Sequence, residues 1–183
     1  MSDLSRSEGV VILDRDGTIV VDRGYLGDPA GLEFEPGAVE GLQWLYARSY
    51  RLIVISNQSG VGRGYFPLDR LDAMNARLNS MVEDVGVRLD GIYCCPHAPD
   101  ENCACRKPAL GLMREAALEL EFDPAMAVVV GDKKTDIDFG RRAGATTVLI
   151  SPDKTAASLH SRATIVAPNL IEAARAITVL RSS

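Results

Sequence analysis

Histidine, lysine and aromatic side chains are scarce in this 183-residue chain: two His, four Lys, one Trp and 5% aromatics overall. The histidine shortage leaves little for imidazole chemistry. His97 sits inside a cysteine cluster and His160 stands alone in a polar segment, where it reads as a surface residue. A Ser-His-Asp or histidine-nucleophile route therefore has no residue to run on. Basic runs and interleaved aromatics are also missing. With a net charge of −5 and a pI of about 5.1, the chain carries no electrostatic footprint for nucleic acid. No apolar run approaches the ~20 residues needed to cross a bilayer. The polar start, Met1 to Glu8, lacks the apolar stretch of a secretory signal. A cytoplasmic protein with no membrane partner is the expectation, and in that compartment four cysteines read as metal ligands before disulfides.

The composition that remains, 46% hydrophobic and 25% charged, is that of an ordinary globular protein with one core. Repeats, low-complexity tracts and linkers are absent, so residues 1–183 read as a single domain. Its small size and the lack of an exposed apolar segment favour a monomer. Apolar runs at 10–13, 51–55, 90–94, 126–130 and 146–150 predict strands. Helical spacing predicts helices over 38–48, 67–85, 109–120, 137–143 and 169–180, with Tyr46, Leu68 and Met74 among the inward positions. Residues 17–37, broken by five glycines and two prolines, predict a flap or hairpin over the sheet end. Strands alternating with helices argue for an α/β fold, a doubly wound, Rossmann-like parallel sheet with helices on both faces.

Polar residues gather where the strands end. Val10-Val11-Ile12-Leu13 runs into Asp14-Arg15-Asp16-Gly17-Thr18, the second strand into Ser56-Asn57-Gln58-Ser59-Gly60, and the fourth into Gly131-Asp132 with Asp136. Each stretch alone reads equally well as a turn or helix cap. In a parallel sheet all three lie on one edge, where open α/β sheets bind ligands. Asp14 and Asp132 together suit a hard, oxygen-liganded Mg²⁺. With imidazole excluded, carboxylates must supply acid–base chemistry, and one can also serve as nucleophile. A second cluster, Cys95-x-His97-x₅-Cys103-x-Cys105, offers one imidazole and three thiolates, a complete tetrahedral set for structural Zn²⁺. Cys94 is the spare thiol, and strand alternation turns it to the opposite face.

These motifs, in this order over nearly the whole chain, resemble the haloacid dehalogenase superfamily of phosphatases. The resemblance implies that Asp14 attacks phosphorus while Asp16 protonates the leaving oxygen and then activates water. It implies that Ser56 and Lys107 hold the phosphoryl oxygens, and that Mg²⁺ binds Asp14, Asp132 and the Asp16 carbonyl. Phosphoryl transfer is mostly positioning and charge stabilisation, and such a residue set serves both.

The zinc-stapled loop followed by Arg106-Lys107-Pro108 resembles a capless branch of heptose-bisphosphate phosphatases and histidinol-phosphatases, and the chain has no room for a large cap. Asp22-Arg23-Gly24-Tyr25, Ser56-Asn57-Gln58-Ser59-Gly60 with Arg63-Gly64-Tyr65-Phe66, and Gly131-Asp132-Lys133 resemble the heptose side; Ala98 departs from it, and the five-residue gap before Cys103 resembles the histidinol side. The implied substrate contacts are residues 22–25, 56–59, Arg106, Lys107 and Lys133. Arg106 suits a distal phosphate. The implied partner is a small-molecule sugar phosphate, with histidinol phosphate as the alternative. A zinc-bearing binding module without catalysis is the remaining reading.

Overall fold

In the computed structural model, which describes residues 9–153 and 162–181, the apolar runs become the strands of one sheet. The elements are β1 (Gly9–Leu13), α1 (Ala38–Tyr46), β2 (Tyr50–Asn57), α2 (Leu68–Asp84), β3 (Gly91–Cys95), α3 (Gly111–Leu120), β4 (Val128–Gly131), α4 (Lys134–Arg142), β5 (Thr146–Ile150), β6 (Ile165–Ala167) and α5 (Leu170–Arg181). All neighbouring strands pair parallel, in the order β3-β2-β1-β4-β5-β6.

The strands are apolar throughout because helices cover both faces of the sheet. Val11, Leu13, Leu52, Val54, Val128 and Val130 pack with Leu42 and Leu45 of α1, Met74 and Leu78 of α2, and Ala173 and Ile177 of α5. The alternate residues Val10, Ile12, Ile53, Ile55 and Val129 pack with Leu112, Met113 and Ala116 of α3 and Phe139 of α4. This period-two division sorts each strand residue to one of two cores. Strand order reverses between β1 and β4, so the loops after them diverge and leave a crevice at their carboxyl ends.

Four sequence expectations shift. β2 runs on to Asn57, placing Ser56 and Asn57 within the strand, opposite Cys94 and Cys95 of β3. α4 begins at Lys134, before the predicted 137, because Asp136 caps it from within its first turn. The three-residue β6 is too short to show a period and was not anticipated. Leu68, Tyr46 and Met126 are exposed: Leu68 is the first residue of α2 and Tyr46 the last of α1, and Met126 lies in a 3-10 turn, Pro124–Met126, which Asp123 caps. His160 lies outside the described residues.

The 17–37 segment leaves the end of β1 and doubles back on itself. Its two arms are tied by Val21 N–H to the Glu33 carbonyl and Glu35 N–H to the Ile19 carbonyl, each at 2.9 Å. Ile19, Val20 and Leu32 bury its base, while Arg23 and Tyr25 stand exposed at its tip. Among the described residues no helix is long and apolar enough to cross a membrane.

Candidate active site

At the carboxyl edge of the sheet lies a cavity of about 390 Å³, lined by Asp14, Asp16, Asp22, Gly24, Tyr25, residues 56–60, Phe66, Arg106, Lys107, Lys133, Thr135 and Asp136. It contains almost every substrate contact the sequence implied. The exception is Arg23, whose guanidinium pairs with Glu33 on the exposed outer side of the flap.

Lys107 is the hub. Its buried ammonium donates to Asp14 Oδ1 at 2.9 Å and to the Ile55 carbonyl at 2.7 Å, and lies 2.6 Å from Asp136 Oδ1. Burial alone would lower its pKa, but Asp14 and Asp136 outweigh that and raise it, so the ammonium stays charged. Asn57 fixes the segment that carries Lys107: its amide accepts from Lys107 N–H at 2.9 Å and donates to the Lys107 carbonyl at 3.1 Å. Asp136, the residue without an assigned role in the sequence, therefore anchors Lys107 and also accepts from Lys133 N–H at 3.0 Å.

Asp14, Asp132 and Asp136 form a group whose carboxylate oxygens lie within 4.8 Å of one another. Burial pushes Asp132 up to about 7, with Asp14 and Asp136 adding to the shift and Lys133 opposing it. Its Oδ1 is buried without a hydrogen-bond partner. An orphaned, buried carboxylate oxygen beside a second carboxylate fits a hard divalent cation. The approach is tight. A Cβ on Gly17, which also has φ +80°, would lie 2.4 Å from Asp132 Oδ2, so only glycine lets the first loop pass the carboxylate. The Asp16 carboxylate is outside this group; the resemblance assigned only its carbonyl to a metal.

That carboxylate instead meets a pair the sequence reading did not join. Arg15, nearly fully buried, donates through Nε to both Asp16 oxygens (3.3 and 3.1 Å) and through Nη2 to Oδ1 (3.3 Å). Gln58 Nε2 donates to Asp16 Oδ2 at 2.6 Å and to Ser56 Oγ at 2.9 Å, while its Oε1 accepts from Arg15 Nη2 at 2.6 Å. Burial raises the Asp16 pKa, opposed by Arg15 and Gln58. Arg15 reads in sequence as a spacer between two aspartates, so no signal there marked it. Gln58, a substrate contact by resemblance, lines the cavity, yet both ends of its amide are engaged by protein.

The four predicted zinc ligands converge. Cys95 Sγ lies 3.2 Å from Cys105 Sγ and 3.5 Å from Cys103 Sγ, and His97 Nδ1 lies 3.1 Å from Cys105 and 3.6 Å from Cys95. Tetrahedral ligands at Zn–S distances of about 2.3 Å stand roughly 3.5–3.8 Å apart, and the four ligand atoms here, all within 4.8 Å of one another, could hold a metal ion. Cys94 points away to Asn75, and burial pushes its thiol up to about 11. The cluster's loop reaches the cavity in two ways. Arg106 donates to the His97 carbonyl at 3.4 Å, and the backbone N–H groups of Gln58 and Gly62 donate to the carbonyls of Cys95 and Pro96 at 2.7 and 2.8 Å. Across the cavity, Lys133 reaches Asp22 of the flap at 2.9 Å, which holds the Asp22 carboxyl below its usual range against a partial burial penalty.

A paired-aspartate loop at the switch point of a parallel sheet, faced by a buried lysine and a second acidic loop, defines the class of the haloacid dehalogenase-like hydrolases. The family model described as HAD-hydrolase-like matches residues 104–173. The D-glycero-beta-D-manno-heptose-1,7-bisphosphate 7-phosphatase of Helicobacter pylori J99 is 42% identical over 134 residues, 73% of this chain and 77% of that protein. The enzyme of the same name from Haemophilus ducreyi is 37% identical over 171 residues, 88% of this chain and 94% of its own. The chain belongs to this family of heptose-bisphosphate 7-phosphatases. Among solved structures, the D,D-heptose 1,7-bisphosphate phosphatase of B. bronchiseptica, complexed with magnesium and phosphate, superposes with a TM-score of 0.83 at 28% identity, covering 95% of this chain and 99% of that one.

Proposed function

We propose that the protein removes the 7-phosphate of D-glycero-D-manno-heptose 1,7-bisphosphate, leaving heptose 1-phosphate, through a phosphorylated Asp14. The observation that carries this reading is the convergence of Asp14, Asp16, Ser56 and Lys107 on one cavity that also holds Arg106 and Lys133. A monoester phosphate at Asp14 engages Lys107, and the two further cations suit a second phosphate.

Asp14 attacks phosphorus as the bond to the sugar oxygen breaks, and Asp16 gives that oxygen its proton. The sugar leaves as an alcohol. Asp16, now ionised, takes a proton from water, which attacks the phosphoryl group and releases Asp14 and inorganic phosphate. Ser56 Oγ–H and Lys107 Nζ hold the phosphoryl oxygens throughout. Magnesium, held by Asp14, Asp132 and the Asp16 carbonyl, would offset charge on the transferring group. Structural zinc on Cys95, His97, Cys103 and Cys105 keeps the 95–105 loop folded against Gln58 and Arg106. The protein acts as one cytoplasmic domain, a monomer, with no nucleic-acid or membrane partner.

The deciding measurement compares kcat/KM for the heptose bisphosphate, histidinol phosphate and simple sugar phosphates, with Mg²⁺ present. The heptose bisphosphate should lead by at least about tenfold, or ~1.4 kcal/mol in transition-state binding. A tenfold lead for histidinol phosphate assigns the other substrate, and no phosphate release from any of them makes the protein a binding module.

A further inference from the structure

We propose that Arg15 and Gln58 are the positioning pair of the reaction, aligning Asp16 as proton donor and Ser56 as hydrogen-bond donor to the phosphoryl group. The inference rests on Asp16 being the acid of the proposed mechanism. Arg15 does not line the cavity and meets it through Asp16. Its guanidinium fork meets both carboxylate oxygens, which sets the plane of the carboxylate in a way a single ammonium would not.

Gln58 joins the pieces. Its amide has one possible orientation: Oε1 faces the Arg15 donor at 2.6 Å, which leaves the two N–H groups for Asp16 Oδ2 and Ser56 Oγ. A serine hydroxyl that accepts from Gln58 turns its own proton elsewhere, and the cavity that Ser56 lines is where a phosphoryl oxygen would lie. One side chain thus sets the direction of the acid and of a phosphate ligand together. Its own place is held from outside the site, by the Gln58 N–H to the carbonyl of Cys95, a residue of the zinc cluster. Arg15 is buried with Nε and Nη2 engaged and Nη1 without a hydrogen-bond partner, a costly setting for a charged group.

A positioning role and a merely structural one separate by leaving group. An alkyl phosphate needs a proton on the departing oxygen, whereas p-nitrophenyl phosphate releases a stable phenolate without one. The value of kcat/KM reports steps through departure of the first product, so misplacing Asp16 should slow the alkyl ester selectively. We would measure kcat/KM for p-nitrophenyl phosphate and for whichever alkyl phosphate the wild type turns over best, in wild type, Gln58→Leu, Gln58→Glu and Arg15→Met. The alkyl-to-aryl ratio should fall by about tenfold or more in each variant that folds, within the range general acid catalysis contributes. The near-isosteric Gln58→Glu guards against a folding failure at Arg15. A ratio within about threefold of wild type in the Gln58 variants, whatever the absolute rates, overturns the pairing. Asp16→Asn is the control: if it slows both esters equally, the assigned acid is wrong, which is a failure of the mechanism and distinguishable from a failure of the pair.

Discussion

The buried ammonium of Lys107 shows how much one residue can carry in this site. It neutralises Asp14 and Asp136 at 2.9 and 2.6 Å among side chains that are almost wholly buried. Removing one partner of such a buried cluster leaves uncompensated charge, at a cost of ~3–5 kcal/mol. Lys107→Met should therefore lower the thermal midpoint steeply in the absence of Mg²⁺ as well as abolish turnover; scanning calorimetry and phosphate release check the two effects. Asp14→Asn should abolish turnover, and Asp16→Asn should lose nearly all of it; appreciable activity in Asp14→Asn rules out the phosphorylated-aspartate route. Arg23 stands at the other extreme. Its exposed pairing with Glu33 is of the kind worth ~0–1 kcal/mol, and it lies off the cavity lining. Arg23→Ala should leave kcat/KM within about twofold of wild type, although the sequence motif around it implied a substrate contact. Motif membership identified Asp14 and Lys107 because their chemistry needs those residue types. It could not say that Arg23 turns outward, which depends on a salt bridge across the flap.

At the scale of elements, the zinc loop and the loop that follows β2 are joined backbone to backbone. Gly62 N–H and Gln58 N–H both bond the zinc loop's backbone, and a Cβ on Gly62 would come within 2.4 Å of Ala98 N. Metal analysis should find about one zinc per chain, lost in Cys103→Ser together with most activity, since structural zinc contributes folding free energy directly. A zinc-free wild type with full activity overturns that role. The ligand spacing Cys-x-His-x₅-Cys-x-Cys was legible in sequence because four ligands within eleven residues must lie near one another. The partner that the loop braces was not legible. It is set by β2 pairing with β3, Asn57 opposite Cys95, and by a strand that runs two residues beyond its apolar run.

For the whole molecule, stability comes from the helix-covered faces of the sheet and catalysis from the cavity at its carboxyl edge. α1 and α5 pack so closely that a Cβ at Gly41 would lie 2.7 Å from the Leu170 backbone carbon. Gly41→Ala should lower stability by ~1–3 kcal/mol through overpacking while leaving kcat within about twofold of wild type, since no cavity residue lies on either helix; denaturant titration beside steady-state kinetics checks both. The α/β class, the five longer strands and the two-sided burial followed from the sequence, because alternation of strands and helices and apolar runs are local signals. β6 did not, being three residues long.

The sequence by itself determined the chemistry: which carboxylates end strands, which lysine follows the zinc loop, and which four residues can hold a metal. Those depend on residue type and short spacing, and both survive in a one-dimensional reading. Only the tertiary structure decided how the carboxylates are held. Arg15 and Asp16 meet Gln58 across more than forty residues, and that meeting follows from the register that sets Leu13 opposite Val54. A one-residue slip would turn each β2 side chain to the other face of the sheet and break the contact. No composition or period records that register; it is selected by the packing of two cores against the sheet.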